Sequence, residues 1–234
     1  MTTVAIHQPQ YLPWLAYIDK ADAVDVFVYL DNVSYQKNGV QNRNLIKTAS
    51  GPNWLTVPVS ATLGRAISET PVAGNSWVRK HVRSIEQNYS KAAHFELFQS
   101  GLRQILEQDW KLLADLNIAV TEWLFGVLGV KTRIVRASQL AADGTAQDRV
   151  LAICKELDAQ VYLSGRGAAS YQTFAEFERA GIELRYQDFT HPIYHQAFEK
   201  IGFVPDLSAL DLLLNHGPEA RRILLSGRQE RTKP

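Results

Sequence analysis

Short apolar runs alternate with longer stretches of helical periodicity along this chain. β-Branched and aromatic residues predict buried strands at 4–6, 24–30, 132–135, 160–163 and 182–186. Helical spacing predicts helices over 13–23, 112–128, 145–157 and 208–225, and Thr145 with Asp148 resembles a capping box at the start of the third. A further helix is predicted between a capping box at Thr173 and a C-cap at Gly181. This alternation favours βαβ units, and hence an α/β fold with a mostly parallel, Rossmann-like sheet and flanking helices.

Two segments depart from the alternation. Residues 32–51 are polar and irregular, and the run 54–59 predicts a further strand that can pair back on them as a hairpin. Helical spacing at 78–105, followed directly by 112–128, predicts a helical insertion at about 77–129. We therefore predict a single α/β domain over 1–226, followed by a disordered tail at 227–234.

Composition excludes several classes of protein. The 234 residues are 46% hydrophobic and carry a net charge of +1, so no global charge attracts nucleic acid or an anionic membrane. No apolar run approaches the roughly 20 residues that span a bilayer, and we expect no signal peptide. The single cysteine, Cys154, excludes an intrachain disulfide framework. The sequence predicts a soluble, cytoplasmic protein that binds no nucleic acid and has no membrane span.

Polar residues follow the predicted strands where each strand ends. They are His7 and Gln8, Asp31, Ser164 and Gly165, and Asp188. Because the carboxyl ends of parallel strands lie at one edge of a sheet, these residues predict a ligand site there. His7 is the candidate for proton transfer, since its ordinary pKa is near neutral, and Asp31 is the candidate to orient His7 or a substrate amine. Alternatively, these residues are ordinary polar strand exits or turn caps.

The loop 35–47 is dense in hydrogen-bond donors. Its cations Lys37, Arg43 and Lys47 are spaced so that an extended or hairpin loop brings them together on a phosphate or carboxylate. Asn42 lies among them as an amide donor, with Gln41 and Asn44 beside it. The alternative is a solvated surface loop.

Other motifs give less. The Ser-Gly-Arg-Gly turn at 164–167 lacks both the dinucleotide fingerprint and a Walker loop, and no G-x-S-x-G elbow is present. Cys154 lies in an amphipathic helix pattern, which favours a core position. His191 and His195 have the i,i+4 spacing of a helical ligand pair, but Pro192 is unfavourable in a regular helix through both, so we predict no metal site. Asn215-His216-Gly217 is typical of a helix break.

Several motifs together resemble one family. They are His-Gln-Pro-x-Tyr-Leu-Pro-Trp at 7–14, Gln-Asn-Arg-Asn at 41–44 followed by Lys47, Trp-Leu-Thr-Val-Pro-Val at 54–59, Ser-Gly-x-Gly at 164–167, and Phe-x-Pro-x-Leu-Ser-x-x-Asp-Leu-Leu at 203–213. In this combination the chain resembles the WbqC-like proteins over nearly its whole length. It departs from their pattern at Asn215-His216-Gly217, where a cysteine variant is absent.

The resemblance implies a role in polysaccharide or natural-product biosynthesis, with transfer of an acyl or aminoacyl group onto an amine. An acyl or peptidyl carrier protein is the expected partner, so that phosphopantetheine arrives with the donor and no cofactor is bound. In this hypothesis His7 is the base, and Asn42, Gln8 or backbone N–H groups near Gly165 stabilise the oxyanion. Lys37, Arg43 and Lys47 would hold a phosphate. The remaining expected substrate-binding residues are Tyr11, Trp14, Ser164, Gly165 and Asp188.

Two other classes stay open. One is an ATP-dependent ligase or nucleotidyl transferase, since a histidine just after the first strand is loosely similar to that of nucleotide-binding α/β enzymes. The other is a non-catalytic subunit of a biosynthetic complex. The donor, the acceptor and the oligomeric state cannot be read from the sequence.

Overall fold

The computed structural model of the protein describes residues 1–170 and 172–229. Its strands, in chain order, are β1 Thr3–His7, β2 Val26–Tyr29, β3 Arg43–Thr48, β4 Gly51–Thr56, β5 Arg133–Arg136, β6 Val161–Ser164 and β7 Glu183–Tyr186. Its helices are α1 Leu15–Asp22, α2 Ser76–Tyr89, α3 Phe95–Leu106, α4 Leu113–Leu128, α5 Ala146–Glu156, α6 Phe174–Arg179, α7 Ala209–His216 and α8 Ala220–Ser226.

The central sheet confirms the predicted α/β, Rossmann-like fold. Its order is β5-β2-β1-β6-β7, and every neighbouring pair is parallel. The chain builds outward from β1 through β2 to β5, then crosses back and builds outward through β6 to β7 on the other side. The strand order therefore reverses between β1 and β6, which is where open α/β sheets bind their ligands.

The two strands at this reversal separate toward their carboxyl ends. β1 pairs with β2 along four residues, from Val4 opposite Val26 to His7 opposite Tyr29. Its ladder with β6 has only two pairs, Thr3 with Val161 and Val4 with Tyr162. The end of β1 is thus free of β6, and a gap opens beyond it.

Alternation along the strands builds a core on each face of the sheet. Ala5 of β1 and Phe27 of β2 pack with α1, α4, α7 and α8. Their neighbours in sequence, Ile6 and Val28, pack on the other face with α5. This period of two is the geometry of a pleated strand, and it places His7 on the same face as Ala5, toward α1.

The predicted hairpin is present, but its second strand, β4, begins at Gly51, three residues before the predicted start at Trp54. β3 and β4 pair antiparallel from Arg43 opposite Thr56 to Thr48 opposite Gly51. Gly51 turns the chain with φ of +108°, a conformation that only glycine adopts easily. The hairpin, α2 and α3 share a second core with one side of α4, whose other side packs on the sheet.

Three local predictions are wrong. Neither Thr145 nor Thr173 caps its helix with its side chain. The helix predicted over 208–225 is two helices, because Gly217 has φ of +51° and the following residue is proline, which has no N–H to donate. The chain also stays packed beyond the predicted boundary at 227, since Arg228 bonds the carboxylates of Asp19 and Asp22. The rest of the predicted tail, 230–234, lies outside the described residues.

Across residues 1–170 and 172–229, every helix lacks the length or the apolar character that crossing a membrane requires.

Candidate functional site

A cavity of about 610 Å³ lies at the carboxyl edge of the sheet, over the gap between β1 and β6. Its size and its place at the strand-order reversal are those of a small-molecule site. The walls include residues from the ends of both strands and from α1: His7, Gln8, Trp14, Lys20, Ser164 and Gly165.

His7 is fixed at the end of β1 by its neighbours. Its ring packs edge-on against Tyr17 of α1, with 4.7 Å between ring centroids. Its Nδ1 lies 3.1 Å from the carbonyl oxygen of Gln8, which also accepts from the Tyr17 hydroxyl at 3.3 Å. Burial and, secondarily, the charge of Lys20 lower the pKa of His7 to about 3. The imidazole is therefore neutral at neutral pH.

Lys20 is the residue at this site that sequence reasoning missed. It lies on α1 one turn after Tyr17, lines the cavity and is only 4% exposed. Burial lowers the pKa of its amine to about 7. The available signal was its spacing of three from Tyr17, which places both side chains on one helix face. Because lysine is rarely buried, its charge favours a surface position, and this expectation is stronger than the one from helical spacing.

Gln8 is oriented by a relay of amides. Gln41 donates from Nε2 to Oε1 of Gln8 at 2.7 Å, and its own Oε1 accepts from the backbone N–H of Gln36 at 2.7 Å. With its oxygen engaged, the Gln8 amide has its NH₂ group left to donate. The opening motif and the motif at 41–44 therefore meet at one side chain of the cavity.

Two asparagines of the motif at 41–44 brace the chain instead of facing the cavity. Asn42 donates to the carbonyl of Val57 at 2.8 Å, and Asn44 donates to the carbonyl of Leu12 at 2.7 Å. The second bond holds Leu12 at φ of +45°, in the turn that joins β1 to α1. Asn42 does not line the cavity, so its predicted place beside the reacting group is not what the structure shows.

The three cations predicted to act together have different partners in the structure. Lys47 is buried and donates to the carbonyl of Gly202 at 2.6 Å. The guanidinium of Arg43 lies 4.3 Å from the ring centre of Trp54, and Lys37 is exposed. None of the three lines the cavity, whose cations are Lys20 and Arg166. An interior lysine and a stacked arginine cannot be distinguished from phosphate-binding residues by spacing alone.

Asp31, just after β2, has a structural role. Its carboxylate is fully buried and accepts from the backbone N–H and the hydroxyl of Ser138, at 2.9 and 2.7 Å. Its partner is thus the turn after β5, and neither His7 nor the cavity is in contact with it.

Asp31→Ala is expected to destabilise the protein by about 2 kcal/mol, because it removes the fully buried carboxylate that accepts both hydrogen bonds from Ser138. Urea unfolding measures the loss, and Ser138→Ala, which removes one of the two bonds, should cost about half as much. A loss below about 0.5 kcal/mol would contradict this structural role.

The remaining predicted residues divide between the cavity and its surroundings. Trp14 and Ser164 line it, whereas Tyr11 is buried behind it with its hydroxyl 2.9 Å from Nδ1 of His81. Asp188 does not line it and pairs with Arg166 at 2.8 Å.

Two kinds of chemistry find little support in the described part of the chain. Burial raises the pKa of the Cys154 thiol to about 12, so it is not a reactive thiolate. Residues 1–170 and 172–229 contain no group of three His, Cys, Asp or Glu side chains placed to hold a metal ion.

The fold and the cavity define a Rossmann-like α/β protein with its candidate site at the strand-order reversal. The chain belongs to the WbqC-like protein family, whose model matches residues 8–223. It is 36% identical over 233 residues to the uncharacterized protein Rv1507c of Mycobacterium tuberculosis, a match that covers 98% of this chain and all of that protein.

Proposed function

We propose that this protein transfers an acyl or aminoacyl group from a carrier-protein thioester to an amine, within the cavity between β1 and β6. The observation that carries the proposal is the neutral, half-buried imidazole of His7 beside the oriented amide of Gln8. In the reaction the amine nitrogen bonds to the thioester carbonyl carbon and the carbon–sulfur bond breaks. The proton leaves the nitrogen and ends on the sulfur, so the products are an amide and a free thiol.

His7 supports this step in its neutral form, which is the form that accepts a proton. It would take a hydrogen bond from the attacking amine and pass the proton to the departing thiolate. Because its pKa of about 3 makes it a weak base, we expect its contribution at the low end of the 10²- to 10⁴-fold range of general-base catalysis, about 10²-fold.

Gln8 supports the same step as an oxyanion donor. The Gln41 amide occupies its oxygen, so its NH₂ group is available for the negative charge that develops on the thioester carbonyl. One such donor contributes about 10²- to 10³-fold in rate. Gln8 takes this role in place of Asn42, whose NH₂ is engaged by Val57.

The donor enters, in this proposal, past the cavity walls formed by Trp14 and Phe189. Trp14 is 36% exposed and offers an apolar surface to a pantetheine arm. Arg166, also in the wall and largely exposed, is the cation available to the phosphate of that arm. Phosphopantetheine is then a part of the donor, and the reaction takes place in the cytoplasm.

His7→Ala is expected to lower the rate of amide formation about 100-fold, since it removes the proton acceptor from the reacting nitrogen. Mass spectrometry of the amide product measures the rate, and thermal unfolding checks that the variant is folded. His195→Ala is the matched control, because His195 is exposed and does not line the cavity, and its rate should equal that of the wild type. An unchanged rate in folded His7→Ala would show that His7 is not the proton acceptor.

A nucleotide-using ligase or nucleotidyl transferase is the second candidate. The strand order and a cavity of about 610 Å³ at its reversal favour it, because folds of this order bind nucleotides there. Thermal unfolding with ATP and Mg²⁺ separates the two candidates. An increase in Tm with ATP and Mg²⁺, and none with an acyl-pantetheine, would favour the nucleotide.

A further inference from the structure

The amine of Lys20 faces the cavity without an acceptor. Among residues 1–170 and 172–229, no oxygen accepts a hydrogen bond from it and no carboxylate pairs with it, although it is only 4% exposed. It lies over the backbone of Gly165, where a Cβ atom would come within 3.3 Å of its nitrogen. The glycine leaves room beside the amine, and the cavity is on its open side.

The acidic residues next to Lys20 in the sequence are engaged by other partners. On its own helix, Asp19 accepts from Arg228 at 2.7 Å and Asp22 accepts from Arg221 at 2.8 Å. Gln187 donates to the second oxygen of Asp19 at 2.8 Å. The protein thus balances two acidic residues of α1 with arginines and leaves the lysine between them with no counter-charge.

Asp188, which follows β7, is paired with Arg166, the other cation in the cavity wall. His7 from β1 and Tyr17 from α1 also line the cavity, and both are neutral at neutral pH. An ammonium group buried without a partner is unfavourable by several kcal/mol, and an anionic ligand would supply the missing charge.

Gln172 also lines the cavity, but its unpartnered side-chain oxygen is buried away from the open space and is not offered to a ligand there. The cavity therefore presents the Lys20 amine as a cation without a counter-charge. A ligand with an anionic oxygen supplies that charge.

We propose that Lys20 pairs with a carboxylate of the acceptor, so that the acceptor is an amine carrying a carboxylate a few bonds from its nitrogen. An amino acid and an amino-uronic sugar are of this class. The anion belongs to the acceptor because Lys20 and His7 line one part of the cavity and act on each other electrostatically. The phosphate of a pantetheine arm is separated from its thioester by the length of the arm, so it cannot lie beside the reacting group.

The inference rests on the proposed function only for the role of the amine. Carboxylate binding is tested without turnover, by NMR of protein with ¹³C at the ε carbon of lysine. Lys20 is assigned from the signal missing in Lys20→Met, and its pKa is measured with glycine, β-alanine or glucosaminuronic acid. Glycinamide, β-alaninamide and glucosamine are the matched amines without a carboxylate, inorganic phosphate is a further arm, and exposed Lys37 is the internal control.

At least one of the carboxylates should raise the pKa of Lys20 by about one unit or more, because an opposite charge at contact stabilises the ammonium form. The matched amines without a carboxylate should not raise it, and Lys37 should not respond. An equal rise with compounds that have and lack the carboxylate, a response to phosphate alone, or no response would each overturn the proposal.

The outcome is separable from that of the transfer reaction. If carboxylates raise the pKa of Lys20 and no amide forms with any donor, the binding site stands and the proposed transfer fails. If amide forms equally fast with acceptors that lack a carboxylate, the transfer stands and the assignment to Lys20 fails.

Discussion

Lys20→Met is expected to stabilise the protein at pH 7, by about 4 kcal/mol. The pKa of the amine falls from 10.5 in the unfolded chain to about 7 in the folded protein. Each unit of pKa difference between the unfolded and folded states corresponds to about 1.4 kcal/mol. The charge on Lys20 therefore lowers the free energy of unfolding at pH 7 by about 4 kcal/mol. Methionine fills a similar volume without a charge, so the variant avoids this cost.

The pH dependence of this effect has a definite sign. Between pH 7 and 10.5 the unfolded chain binds more protons than the folded one at this position, so wild-type stability rises with pH across that window. The advantage of Lys20→Met should therefore shrink by about 2 kcal/mol between pH 7 and pH 9. Urea unfolding at both values measures it, with exposed Lys37→Met as a control that shows no such change. A destabilised Lys20→Met protein at pH 7 would contradict the account of an uncompensated buried charge.

Asp211→Ala is expected to destabilise the protein by about 3 to 5 kcal/mol, the largest loss among the substitutions considered. Asp211 is fully buried on α7 and accepts from the hydroxyls of Tyr89 and Tyr194, at 2.8 and 3.0 Å. The Tyr89 oxygen in turn accepts from the backbone N–H of Lys47 in the hairpin, at 2.9 Å. Removing the carboxylate leaves two buried hydroxyls without an acceptor and breaks the hydrogen-bonded link from α7 through Tyr89 to the hairpin.

Two variants test the cause of that loss. Asp211→Asn keeps one acceptor oxygen and should lose about half as much, whereas Tyr194→Phe removes one bond and should lose about 1 kcal/mol. Burial raises the pKa of Asp211, so a charge is not the source of its stabilising effect. A loss below about 1 kcal/mol in Asp211→Ala, measured by urea unfolding, would contradict the structural role.

The sequence predicted the fold because its strands carry their own signals. The runs around Ala5 and Phe27 are short, β-branched and aromatic, and they appear as adjacent parallel strands of the sheet. The break at Gly217 is a contrasting case. Apolar periodicity continues across it and predicts a single long helix, whereas Asn215-His216-Gly217 is typical of a helix break. The structure ends α7 there, at the glycine and the proline after it.

The candidate site was less readable, because its residues are defined by contacts between distant segments. His7 and Ser164 follow strands that neighbour each other, and the structure places both in one cavity. Asp31 also follows a strand, yet its carboxylate turns to Ser138, 107 residues later. Lys20 is the opposite case, because it lines the cavity although the sequence did not predict it there. A lysine in a helix is usually a surface residue, so its place in the cavity becomes apparent only from the structure.

The position of Lys47 shows the same limit. In the sequence it belongs to a basic loop, and in the structure it is an interior residue that holds the carbonyl of Gly202. No local pattern distinguishes these two roles, because the partner lies 155 residues away.

The proposed reaction joins an acyl group to an amine in the cavity between β1 and β6. Its most direct test is mass spectrometry of the amide formed from a set of acyl and aminoacyl pantetheine thioesters, each offered with amino-acid and amino-uronic acceptors. We expect one pair to give amide and free thiol in equal amounts with the wild-type protein, about 100-fold more slowly with His7→Ala. Amide formation no faster than the uncatalysed reaction for every pair, or an equal rate with the variant, would contradict the account.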